Sequence, residues 1–149
     1  AKGYLQQSEE GAELIEDLES LEGDQEPTLE LTEGDTKYNS ETNTIKFNPS
    51  AGIQTAGQGG KPDPSGGTIQ SPALGLAHEA GHAVQRNTKP EKFEKDSRFT
   101  GGTYSRPEEK RVVKKIETPI AKQLKEPTRK SDRGPTVIVD GVTSRTPKK

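Results

Sequence analysis

"SPALGLAHEAGHAVQR", residues Ser71–Arg86, holds both histidines of the chain, His78 and His82, four residues apart, with Glu79 directly after the first. Ser71 ahead of Pro72 reads as a helix start: a hydroxyl caps the first turn, and the proline's missing N–H does no harm there. The run that follows predicts a helix to about Gln85 or Arg86. Residues i and i+4 lie one above the other on a helix, so both imidazoles project from the same face. One Zn2+ can take a nitrogen from each. Glu79 is turned about 100° away from His78, close enough to hold a water beside the metal without being a ligand.

This spacing is the HExxH arrangement of zinc metallopeptidases. The expected chemistry is hydrolysis of a peptide bond by a water that zinc activates, with Glu79 taking its proton and passing it to the leaving amine. Gly75, Leu76, Ala77, Ala80, Gly81 and Ala83 flank the motif without charge, as a buried metal helix requires, since an unpaired charge there would be desolvated. Gly75 and Gly81 each weaken a helix by up to about 1 kcal/mol relative to Ala; they predict close approach by another backbone.

A catalytic zinc site takes a third protein ligand and keeps one open position. With no further His and no Cys in the chain, that ligand must be Asp or Glu. A second helix is read from Pro107, "PEEKRVVKKIETPIAKQL", with Val112, Val113, Ile116, Ile120 and Leu124 as its apolar stripe. Pro119 falls inside it and is expected to kink or divide it. Glu109, Glu108 and Glu117 on this helix are the candidates for the third ligand. Of the adjacent pair, the one that does not bind metal faces solvent or braces a histidine. Tyr104 is a candidate hydrogen-bond donor to the oxyanion of the tetrahedral intermediate. Arg111 and Arg129 read first as surface charges, with a steadying role at the site as the lesser alternative.

Outward from the site, "SEEGAELIEDLESLEGD" (Ser8–Asp24) predicts an amphipathic helix capped by Ser8, with Leu14, Ile15, Leu18 and Leu21 at helical spacing and Gly23 as its end. "TLELT", "TKY" and "TIKF" alternate polar and apolar residues and predict a small antiparallel sheet or hairpin pair across 28–48. Residues 50–67 and 87–106 read as polar loops. "TVIVDGVT" near the end predicts a strand or extended segment with a turn at Asp140-Gly141.

Composition bounds the rest. The 149 residues are 25% hydrophobic and 31% charged, with no Cys, Met or Trp. Disulfides and thiolate metal sites are excluded, which fits a protein indifferent to redox compartment. The missing initial Met points to a piece cut from a longer polypeptide. No apolar run approaches a membrane span and no signal peptide opens the chain. Net charge is −10 over residues 1–40 and +9 over 86–149. The basic half lacks the interleaved aromatics of a nucleic-acid surface, so mutual attraction of the two halves within one fold is the expected reading.

"TIKFNPSAG", the Gly-rich stretch after it, and "SPALGLAHEAGHAVQ" together resemble the HExxH metallopeptidase effector domains at the C-termini of Rhs-type and other bacterial polymorphic toxins, which are related to a type III secretion effector peptidase. "EEKR" at Glu108–Arg111 followed by "IETPIAKQL" is similar to that family's downstream helix. "HEAGHAV" is also similar to the anthrax lethal factor motif. The Glu-Glu-x-Arg pattern resembles that of botulinum neurotoxin light chains, where the second Glu is the zinc ligand; this gluzincin-like correspondence favours Glu109. The resemblance covers about residues 43–129 and leaves the N-terminal acidic helix uncovered.

The resemblance implies a secreted or injected zinc endopeptidase that cleaves proteins of a target cell, released from a larger carrier and held by a cognate immunity protein, without nucleic-acid or membrane partners. The expected fold is a single compact α+β zincin-like domain: an acidic helical segment over 1–27, a catalytic core over 28–129 and an extended tail over 130–149. Its metal ligands are expected to be His78, His82 and Glu109, and its catalytic residues Glu79 and Tyr104. The alternatives are a zinc-bearing binding module without catalysis and, more remotely, a nucleic-acid-binding domain built on the basic half.

Overall fold

In the computed structural model, which describes residues 1–149, the long helix α3 (Pro72–Thr88) runs through the core, and most of the other helices and three of the strands pack against it. Ser71 caps it by accepting from the Leu74 N–H at 3.3 Å, and Ser71 is itself fixed by Glu126, which takes both its N–H and its hydroxyl at 2.7 Å. The helix continues to Thr88, a turn's fraction beyond the expected end, because Asn87 and Thr88 return their side chains to the carbonyls of Ala83 and Val84. Ala73, Ala77, Ala80 and Ala83 are fully or almost fully buried; their small side chains let neighbouring helices approach closely.

The N-terminus folds as a short helix α1 (Lys2–Leu5) and then α2 (Glu9–Glu19), where Ser8 accepts from the Gly11 N–H as a capping serine does. Helix α2 stops at Ser20, before the expected Gly23. That glycine, at φ +57°, instead opens a separate 3-10 turn, Gly23–Gln25. Leu5, Leu14 and Ile15 join the α3 alanines, Ile45 and Ile120 in one hydrophobic core.

Three strands follow: β1 (Thr28–Leu31), β2 (Lys37–Asn39) and β3 (Thr44–Phe47), in the sheet order β1-β3-β2. Strands β2 and β3 form the antiparallel pair that the alternation predicts, while β1 runs parallel to β3. The residue pattern cannot distinguish these directions, because alternation sets faces and not strand direction. Ile45 and Phe47 lie against the core and Lys46 is exposed.

A second sheet holds β4 (Ala51–Gln54), β5 (Ile69–Gln70) and β6 (Thr136–Ile138) in the antiparallel order β5-β4-β6. Strand β4 falls in the stretch expected to be loop; its small residues give little β signal, and pairing from both sides makes it a strand. Strand β6 ties the C-terminal segment into the fold: Val139 is buried and the Ala73 N–H donates to the Val142 carbonyl at 2.9 Å. The rest of the Gly/Pro-rich stretch is likewise fixed. A side chain at Gly60 would strike the Thr128 carbonyl, and Asp63 takes the N–H groups of Ser65 and Gly67 and pairs with Arg145.

Helix α4 (Pro90–Asp96) also lies in an expected loop. Its one apolar side chain, Phe93, packs edge-on against Tyr38 and His82, and Pro90 at its first turn is the signal that marks it. The second helix is divided as Pro119 requires: α5 (Pro107–Val112), a π turn over Val113–Glu117, and α6 (Thr118–Gln123). None of the ion pairs joins residues 1–40 to 86–149. The acidic and basic halves meet instead through hydrogen bonds, Tyr4 to Glu126 and the Glu10 N–H to Gln123. The whole is a compact α+β fold, and no helix is long and apolar enough to cross a membrane.

Candidate metal centre

The i, i+4 spacing on α3 places the His78 and His82 rings edge-on with their centroids 4.9 Å apart and the two Nε2 atoms 3.2 Å apart. Both rings are buried, at 6% and 5% exposure. Helix α5 crosses above them and brings Glu109, whose carboxylate straddles the pair: Oε2 lies 2.8 Å from His78 Nε2 and Oε1 lies 3.0 Å from His82 Nε2. Of the three candidate glutamates, Glu109 alone faces both Nε2 atoms.

The other two glutamates stand behind the rings. Glu117 Oε1 is 2.9 Å from His78 Nδ1, and Glu108 Oε2 is 2.7 Å from His82 Nδ1. An ionised carboxylate only accepts, so each Nδ1 carries a proton and donates it, and both Nε2 atoms turn to the same point, where the Glu109 carboxylate requires a proton or another cation on them. Each supporting carboxylate is itself held by an arginine. Arg129 grips Glu117 through Nε and Nη2 at 2.8–3.1 Å, and Arg111 grips Glu108 through Nε at 2.7 Å while reaching the Gly81 carbonyl. Arg129, read first as a surface charge, is buried at 7% exposure. It is held there by Glu117, which lies at the end of the π turn and is itself 1% exposed.

Two neutral lone pairs and a carboxylate converging within hydrogen-bond distance repel one another unless a positive charge lies between them. Without a cation that charge is a proton. Burial by itself would lower the basicity of His78, but the hydrogen bonds to Glu109 and Glu117 outweigh it and raise its pKa to about 10. His82 follows the same balance, burial against Glu108 and Glu109, and rises to about 9. Burial opposes ionisation of Glu109 too, yet the two imidazoles hold its carboxyl far below the ordinary carboxylate range. With both imidazoles neutral, the four carboxylates (Glu79, Glu108, Glu109, Glu117) and two guanidiniums leave two negative charges, which two protons on the histidines or one divalent cation would balance.

Glu79 flanks this point. One oxygen accepts the Tyr38 backbone N–H at 3.0 Å and the other lies 3.9 Å from His78 Nε2. His78, Glu79 and His82 offer donor atoms within 4.8 Å of one another, a buried group that can hold a metal ion. The carboxylate of Glu109 lies nearer to the histidines than that of Glu79, which leaves Glu79 at the margin, facing a cavity bounded by Gly75, Glu109, Arg129, Asp132 and the strand β4. Gly75 forms part of that wall, with nothing near where a Cβ would stand. Gly81 meets the Ile116 and Val112 side chains at 3.3–3.4 Å. The expected backbone approach is therefore absent at both glycines.

Tyr104 sits on the segment before α5, in a surface hollow with Pro107 and Lys110, and its hydroxyl makes no hydrogen bond. Burial and then the Glu117 charge raise its pKa. Sequence reasoning missed Tyr38, whose role is played by a backbone N–H that any residue has, and Asp132, which approaches the cavity from a non-local loop and holds Ser105.

The fold and the site define an α+β protein with a buried His-Glu-His group able to bind a metal. No protein-family model, no curated protein and no solved structure matches the chain.

Proposed function

We propose that this chain is a zinc-dependent endopeptidase. The observation that carries this reading is the convergence of His78 Nε2, His82 Nε2 and the Glu109 carboxylate beside an open cavity that Glu79 also faces. A tetrahedral zinc with bonds of about 2.0–2.1 Å sets its ligands about 3.3 Å apart. The two Nε2 atoms, 3.2 Å apart, are close to that edge, and Glu109 brings one carboxylate oxygen to 2.8 Å from His78 Nε2 and the other to 3.0 Å from His82 Nε2. Two imidazoles and one carboxylate are a donor set that suits zinc.

Zinc, when bound, acidifies a water and polarises the scissile carbonyl. Glu79 accepts the proton of the attacking water and returns it to the amine nitrogen as the C–N bond breaks. The Tyr38 N–H orients Glu79 for this by holding one of its oxygens. Glu117 and Glu108 fix the tautomer and tilt of the two imidazoles, and the arginines behind them keep both carboxylates ionised despite burial. The resemblance to polymorphic-toxin effector peptidases supports a role as a secreted or injected effector, with a protein of the target cell as substrate and an immunity protein as partner.

A second reading rests on Glu79 itself. If it moved onto the metal as a fourth ligand, the site would be closed, and the domain would be a zinc-stabilised binding module. The test is the substitution Glu79→Gln, assayed for zinc content and for cleavage of a quenched-fluorescence peptide library. Retained zinc with cleavage lowered by about 10²–10⁴-fold is the expected result. A native chain that binds zinc but cleaves nothing, together with zinc lost from Glu79→Gln, would establish the closed site instead.

A further inference from the structure

Strand β1 is the edge of its sheet, paired only to β3, and all four of its residues are exposed. The Thr28 N–H donates to the Asn43 carbonyl and the Thr32 N–H to the Phe47 carbonyl. Backbone groups alternate in direction along a strand. Those of Leu29 and Leu31 therefore point away from β3, toward solvent.

The side chains make this edge unusual. Leu29 pairs in register with Ile45 and Leu31 with Phe47, so both leucines continue the face that β3 buries against the core. Nothing covers them: Leu29 is 57% and Leu31 75% exposed, against 2% and 5% for Ile45 and Phe47. Leu29 opens onto an apolar groove floored by Leu14, Leu18, Ile45 and Leu76. Soluble chains blunt such edges with charges, Pro, a bulge or a short strand; β1 is short and carries one charge, Glu30, on the face opposite its leucines.

The charge around the edge is mostly acidic, with Lys46 of β3 beside Glu30 as the nearest cation. Glu22, Asp24, Glu26, Glu30 and Glu33 all lie within a few residues of β1 and are exposed, and none is in an ion pair. Lys2, the one cation on the groove, is paired with Glu19. Two copies of so acidic an edge would repel each other.

We propose that β1 is a docking edge for an extended segment of another protein, one that alternates apolar and basic residues. The segment adds as a strand beside β1, taking the free backbone groups of Leu29 and Leu31. Its apolar side chains complete the face over the groove, and its Lys or Arg side chains meet the surrounding glutamates. The surface is separate from the metal centre and does not depend on the peptidase reading.

The test is selection of a displayed library of random ten-residue peptides on the whole immobilised chain, followed by binding measurements on the enriched peptides. Sequences alternating apolar and basic residues are expected, with affinity falling at least tenfold for Leu31→Lys and for Glu30→Lys with Glu33→Lys. Both variants change exposed positions and should keep the native fold by circular dichroism. Slowed amide exchange of Leu29 and Leu31 on peptide binding is the accompanying signature. Enrichment of neutral or acidic sequences, affinity unchanged in the variants, or a concentration-dependent dimer of the native chain that Leu31→Lys abolishes would each overturn the proposal.

Discussion

Glu117 stands behind His78 with Oε1 2.9 Å from Nδ1, and neither side chain is near the other in sequence. Glu117 closes the π turn at Val113–Glu117 and is buried in the core. There it meets Arg129, arriving from beyond α6. A chain of three charged or polar groups, Arg129, Glu117 and His78, thus runs from the protein interior to the His78 imidazole.

Breaking that chain should weaken metal binding without abolishing it. Glu117→Gln keeps the shape but loses the charge that fixes the imidazole, and zinc affinity should fall about 10–100-fold, read by competition with a chelator. Arg129→Ala leaves the Glu117 carboxylate buried without its cation, a change that costs about 3–5 kcal/mol, visible in chemical denaturation.

The metal-free protein should be most stable in mildly acid solution. His78 and His82 are raised above their ordinary 6.5, so their contribution is complete below about 6.5 and lost as pH climbs toward 9 and 10. Glu109 and Glu117 are lowered from 4.5, so theirs is complete above about 4.5 and lost as pH falls further. Melting temperature after chelation should therefore peak between about pH 4.5 and 6.5. Zinc affinity should rise with pH over the same range and above it, because the ion displaces protons from the imidazoles.

At Gly75, stability and activity should move in opposite directions. A Cβ there meets nothing, so Gly75→Ala should stabilise the helix by about 0.5–1 kcal/mol. The same methyl projects toward the cavity wall beside His78 and Glu79, and peptide cleavage should fall. Thermal denaturation and the cleavage assay, run on one preparation, check both.

Gly60 tests whether the Gly/Pro-rich stretch is part of the fold. Its added side chain would collide with the Thr128 backbone, separating the segment around Gln58 and Lys61 from the run at Thr128 and Lys130 that it hydrogen-bonds. Gly60→Ala should cost more than about 2 kcal/mol by equilibrium unfolding, whereas Gly57→Ala, in open space, should cost less despite its positive φ.

Tyr104→Phe should leave zinc content unchanged and lower cleavage less than tenfold, since the hydroxyl lies off the cavity and partners nothing. A larger loss in steady-state turnover would assign it the oxyanion role.

The sequence by itself determined the element on which everything turns. Ser71, Pro72 and the uncharged run after them specify α3, and the four-residue spacing puts His78 and His82 on one face, because helical geometry is local and periodic. The capping of α2 by Ser8, the β2–β3 pair and the break at Pro119 were legible for the same reason. Only the tertiary structure decided what each glutamate does. Glu108 and Glu109 are neighbours in sequence and opposite in role, one behind His82 and one before both rings, because the crossing of α5 over α3 turns them to different sides. It also decided that β1 runs parallel to β3, that β4 is a strand and that Arg129 is buried. Each depends on a partner far along the chain, and no local pattern of residues records where such a partner will arrive.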